Sequence, residues 1–219
     1  MNIKRLSAAA AAALLVLTMT SCKGSGDKLA VDGKKLYMNG SYSEALDSFL
    51  TAEDRGLKNF REHELYNCIG NCYLKLEDYE NALEYHKKCV DIAPEYFEGL
   101  VNLGISYRKN GDREKALECY QKALELDPEN GDSAPLYVNL GSLYIEFNKP
   151  ISAIEYLEKA KALYKEDSAQ NADIYAFLSI AYAMALEPEK SDSAYTKAAE
   201  LGYPHLDEVN AQLDKLASR

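Results

Sequence analysis

Tryptophan is absent from this 219-residue chain, histidine occurs three times, and there are only six prolines and twelve glycines. So little proline and glycine excludes a collagen-like chain or a Pro/Gly-rich disordered one. Basic residues are outnumbered by acidic ones, 25 to 35, and the formal charge is −10. Affinity for a phosphate backbone comes from lysine and arginine, so this balance argues against a nucleic-acid partner. Catalytic motifs are missing too. There is no G-x-S-x-G, no H-E-x-x-H and no glycine-rich phosphate loop. His63, His86 and His205 adjoin no nucleophile motif, and the many carboxylates fit a solvated helical face rather than an acid–base pair. Asp127–Asp132 is loosely like a calcium loop but lacks the bidentate glutamate, so it reads as a helix stop and loop. The expectation is a non-enzyme without cofactor or metal. What is present is a globular balance: 47% hydrophobic and 27% charged residues.

The chain begins MNIKRLSAAAAAALLVLTMTSC. Lys4 and Arg5 precede an apolar stretch from Leu6 to Met19, too short to span a bilayer comfortably and suited to the core of an export signal. The closing Met-Thr-Ser-Cys resembles a bacterial lipobox, with Met19 where leucine is more usual. That resemblance implies a signal peptide over 1–21, a lipidated Cys22, a short linker over 22–26, and attachment to a bacterial membrane of unspecified leaflet. Loss of residues 1–21, with two basic and no acidic groups, leaves 198 residues and a charge of −12. Cys68, Cys72, Cys89 and Cys119 fall inside helical patterns. Cys68 and Cys72, one helical turn apart, bridge poorly. A metal site from Cys68, Cys72, His86 and Cys89 is conceivable, but buried thiols fit the pattern better.

The body repeats. Ile69-Gly70-Asn71-Cys72-Tyr73 aligns with Leu103-Gly104-Ile105-Ser106-Tyr107, with Leu140-Gly141-Ser142-Leu143-Tyr144 and with Leu178-Ser179-Ile180-Ala181-Tyr182. Each block opens a helix–turn–helix unit. Leu100, Leu103 and Tyr107 mark one apolar stripe; Ala116, Tyr120 and Ala123 mark the next. One helix pair cannot bury such stripes, but stacked pairs can.

These slots resemble the tetratricopeptide repeat, W-x2-L-G-x2-Y…A-x3-F…P over 34 residues. The tryptophan slot holds Tyr66, Leu100, Tyr137 and Tyr175; the later pair of slots holds Ala82/His86, Ala116/Tyr120 and Ala153/Leu157. The resemblance implies an all-α fold, a right-handed α-solenoid of about five units near 26–59, 63–96, 97–130, 134–167 and 172–205. Leu206, Val209, Leu213 and Leu216 add an amphipathic tail, read as a capping helix over 206–219 or else a partner-binding one.

In this family the first helices line a concave groove that holds peptides. By register its residues here are Asn67, Asn71, Leu74 and Lys75, then Val101, Ile105, Arg108 and Lys109, then Val138, Ser142 and Ile145, and then Ile180. The aliphatic middle suggests a hydrophobic or amphipathic peptide, unless Val101, Ile105 and Ile145 merely pack against the next unit. A carboxylate clamp is not expected, because Pro135 and Asn139 stand where its third unit needs Lys and Arg. The implied function is a membrane-anchored protein-interaction scaffold with a protein or peptide partner. Its rivals are an envelope-assembly lipoprotein of pilus or outer-membrane biogenesis and a small-molecule or glycan binder. The sequence leaves the oligomeric state open.

Overall fold

The computed structural model describes residues 26–126, 133–164 and 171–218. The expected signal over 1–21, the expected lipidation at Cys22, residues 23–25 of the expected linker and residues 127–132 lie outside the described residues. Those described form eleven helices and no strand: α1 (Gly26–Met38), α2 (Tyr42–Arg55), α3 (Glu62–Lys75), α4 (Tyr79–Ile92), α5 (Phe97–Lys109), α6 (Arg113–Leu126), α7 (Ala134–Glu146), α8 (Pro150–Leu163), α9 (Asn171–Met184), α10 (Pro188–Glu200) and α11 (Leu206–Ala217). The fold is an all-α solenoid of repeats. It divides into two compact units, residues 1–112 and 113–219. None of the described helices is long and apolar enough to cross a membrane.

Within each unit, a small residue on a first helix admits a large one from the second helix, sixteen positions later. A Cβ on Gly33 would lie 2.8 Å from the Phe49 ring, and one on Gly141 2.5 Å from Leu157 Cγ. At Gly70 the neighbour is His86 Nε2, at 2.5 Å. Such distances leave no room for a methyl group, so glycine sets how closely the helices approach. In the first unit Ala30, Ala45, Phe49, Ala52, Leu65, Ile69 and Cys72 share one core. In the second, Ala153, Leu157, Ala160, Ile174, Leu178, Ala181 and Ala194 form another.

The turns inside the repeats share a backbone device. Gly40, Glu77, Gly111, Asn148 and Leu186 occupy the same register position, with φ of 82°, 61°, 86°, 55° and 61°. After the turn, Pro150 and Pro188 open α8 and α10, where a missing N–H and a preset φ cost nothing. Asp78 caps α4 by accepting from the Asn81 N–H at 3.2 Å.

Helix α11 packs on α9. Ala176, Ile180, Ala198 and Val209 are buried together there, with Leu206, Leu213 and Leu216 packed against them. The apolar stripe of the tail is therefore directed at its own chain.

Candidate functional site

In the first unit, α3 and α5 are first helices of successive repeats and lie beside α1. Their exposed faces, with the turn leading into α4, enclose a cavity of about 540 Å³. Asn71, Leu74 and Lys75 reach it from α3, and Asn102, Ile105 and Lys109 from α5. Tyr37 lines it from α1, and Glu77 and Tyr79 line it from the turn and α4.

The chemistry is mixed. Leu74 and Ile105 are half-buried and supply an aliphatic floor. Tyr37 packs edge-on against Tyr42 at 5.2 Å, and burial raises its phenol pKa above the ordinary value. Lys75 and Lys109 stand one repeat apart and are both exposed. The Lys109 ammonium lies 5.6 Å from the centre of the Tyr79 ring, within cation–π range. The Tyr79 carbonyl accepts from Asn110 Nδ2 at 2.7 Å, which ties this wall to the end of α5. Two lysines against one glutamate make the lining locally cationic on a chain of net charge −10. Aliphatic floor, amides and ammonium groups suit a peptide that is apolar on one side and acidic on the other.

Five residues placed in the groove by register are brought together here: Asn71, Leu74, Lys75, Ile105 and Lys109. Four others on the register map are buried and do not line the cavity. Asn67 is buried, and its Oδ1 accepts from Asn102 Nδ2 at 2.9 Å, so its amide orients Asn102. Val101 is 9% exposed and belongs to the core. Ser142 is 3% exposed and donates to the Asn139 carbonyl at 3.1 Å. Ile180 is 5% exposed because α11 covers its helix. Arg108 is half-buried but does not line the cavity. Val138 and Ile145 are partly buried against the second unit's cores, Ile145 touching both.

Tyr37, Glu77, Tyr79 and Asn102 also line the cavity, outside the register map above. Tyr37 holds the register position of Leu74 and Arg108, so extending the map back to the first repeat finds it. Glu77 and Tyr79 belong to the turn and the second helix, which a first-helix register does not sample.

Of the four internal cysteines, Cys72, Cys89 and Cys119 are buried and Cys68 is partly buried. Burial pushes the Cys68 thiol up to about 11 and those of Cys72 and Cys89 up to about 12. Among the described residues no three His, Cys, Asp or Glu side chains are placed to hold a metal ion. Of the His86 nitrogens, Nδ1 lies 2.7 Å from Ser106 Oγ, and Nε2 is buried without a hydrogen-bond partner among the described residues.

Comparison with known proteins gives a consistent picture. Tetratricopeptide-repeat family models match residues 63–96 and 95–166. The photosystem I assembly protein Ycf3 of Rippkaea orientalis is 38% identical over 80 residues, 35% of this chain and 44% of that protein's length. A crystal structure of a thermophilic TPR protein of Thermus thermophilus superposes with a TM-score of 0.63 at 25% identity, over 89% of this chain and all of the other. BtubC from P. vanneervenii superposes at 0.66 with 18% identity, over 80% of this chain and 78% of its own, a likeness of fold alone.

Proposed function

This chain is a tetratricopeptide-repeat protein, and from that premise we propose that it is a membrane-anchored scaffold whose first-unit groove holds an amphipathic, acidic peptide segment of a partner protein. Repeats of this family serve as protein-interaction scaffolds and are typically non-enzymatic. The observation that carries the finer reading is the cavity between α3 and α5. There Leu74 and Ile105 offer apolar area, Asn71 and Asn102 offer amide donors and acceptors, and Lys75 and Lys109 offer positive charge. A peptide's main chain pairs with amides, its apolar side chains cover the floor, and its carboxylates meet the lysines. The Asn102–Asn67 hydrogen bond fixes one amide before binding, which reduces the ordering cost.

Anchoring follows from the N-terminal sequence. The lipobox-like Met19-Thr-Ser-Cys22 supports lipidation of Cys22 after export, which would hold the repeats on a membrane surface. Envelope assembly is the setting favoured by one further observation. A relative over 80 residues is by name a photosystem I assembly protein, although the match spans less than half of its length.

The test is capture of partners from host membranes by the lipidated protein. Replacing Leu74 and Ile105 together by glutamate places carboxylates on the apolar floor and against acidic ligands. Capture falls at least about tenfold, the equivalent of ~1.4 kcal/mol, with helical circular dichroism unchanged. Undiminished capture would place the interface elsewhere. Cys22→Ala tests the anchor separately: the exported variant leaves the membrane fraction.

A further inference from the structure

Two repeats contain a three-tyrosine slot. In each, the first helix gives two tyrosines seven positions apart, and the second helix inserts a third between them. Tyr85 lies 5.9 Å from Tyr66 and 5.7 Å from Tyr73, stacked on the latter. Tyr156 lies 6.1 Å from Tyr137 and 5.5 Å from Tyr144, with its ring only 8° from parallel to the latter. A lysine three positions on covers each central ring: Lys88 Nζ at 4.2 Å from Tyr85, and Lys159 Nζ at 5.0 Å from Tyr156.

The last repeat keeps the outer members of this slot and lacks its centre. Tyr175 and Tyr182 hold the two first-helix positions, and Lys197 holds the lysine position. Alanine, Ala194, stands where Tyr85 and Tyr156 stand in the other two repeats. The result is an open cleft of about 640 Å³ between α8, α9 and α10, lined by those four residues and Leu178. None of these residues belongs to the peptide groove.

The far wall indicates what a ring would carry. The Tyr85 hydroxyl donates to Glu53 at 3.2 Å. Glu53 lies on the repeat before that of Tyr85, and on the repeat before the last the corresponding position is Lys161, which lines the cleft and pairs with Glu158 at 2.5 Å. Glu158 in turn accepts from the Tyr182 hydroxyl at 3.0 Å. A ring substituent arriving there meets a cationic donor and a carboxylate acceptor side by side, which suits a hydroxyl that both accepts and donates.

We propose that this cleft binds one phenolic ring from a ligand, stacked on Tyr182 beside Tyr175, with Lys197 over it and its hydroxyl between Lys161 and Glu158. The ring replaces the tyrosine that the chain itself supplies in the second and fourth repeats. Stacking and cation–π attraction act on any such ring, whether it is a free phenol or a tyrosine side chain of a peptide.

The experiment is NMR titration of the mature chain with two probes, p-cresol and N-acetyl-tyrosinamide, following the Ala194 methyl and the Tyr182 ring. Both probes give saturable shifts in the wild type. Ala194→Tyr copies the second and fourth repeats, keeps the melting curve cooperative and loses the shifts. Ala194→Leu fills the same space with aliphatic bulk and loses them as well, so a poorly folded tyrosine variant does not decide the matter. Lys197→Ala weakens binding by roughly two- to fivefold. Equal affinity for the two probes assigns the site to free phenols, and a clear gain for the amide assigns it to a peptide tyrosine. Absence of a saturable shift with either probe, or shifts that persist in both filled variants, would overturn the proposal.

Discussion

His86 stands at the second-helix core position held by Phe49, Tyr120 and Leu157 in other repeats. It is fully buried, and burial lowers its imidazole pKa from 6.5 to about 4. The folded protein therefore holds His86 neutral where the unfolded chain takes up a proton. Stability contributed by the neutral form is complete above about pH 6.5 and is lost as the pH falls through 4, to a limit of about 3 kcal/mol. Thermal melts of the wild type between pH 7 and 4 should show this slope, and His86→Phe should flatten it. A second expectation concerns the thiols. Because burial holds Cys72 and Cys89 near 12, alkylation at pH 8 proceeds in urea but not in buffer, with the less deeply buried Cys68 the first to react. Mass spectrometry of the labelled protein checks this. The sequence shows these residues in core slots. It does not show that Ser106 would sit 2.7 Å from His86, since that contact joins two different repeats.

The helix pairs are the level at which the sequence is most readable. Small residues, aromatic slots and turn positions recur on one register, and the helices follow them. The turn residue is the informative exception. Leu186 takes the left-handed conformation that Gly40 and Gly111 take in other repeats, and it is 87% exposed, so little packing favours it. Leu186→Gly removes a backbone cost of roughly 1–2 kcal/mol but adds unfolded-state entropy, for a net gain of about 0.5–1 kcal/mol in chemical denaturation. Asp27 acts between elements. Its carboxylate accepts from the Lys58, Asn59 and Phe60 N–H groups at 2.9–3.1 Å, which holds its pKa below the usual value and fastens α1 to the segment before α3. In Asp27→Ala, hydrogen exchange of these three amides should speed up while amides in α9 are unchanged. The groove map was less readable than the helices. A register position is exposed only where nothing further covers it. Val101 packs inward and α11 buries Ile180, and periodicity within one repeat reports neither.

At the scale of the molecule, the acidic balance excludes some partners without naming any. The charge of −10 is an average, and the lining between α3 and α5 has the opposite sign. Added salt should therefore weaken capture of an acidic partner, although the chain as a whole is acidic. The central claim is that recognition takes place in that cavity. Its most direct measurement is photocrosslinking in the host, with a photoreactive residue placed at Ile105 in the groove or at exposed Glu118 on α6 as control. One discrete partner adduct is expected from position 105 and none from 118. Adducts from 118 alone, or equally from both, would contradict it.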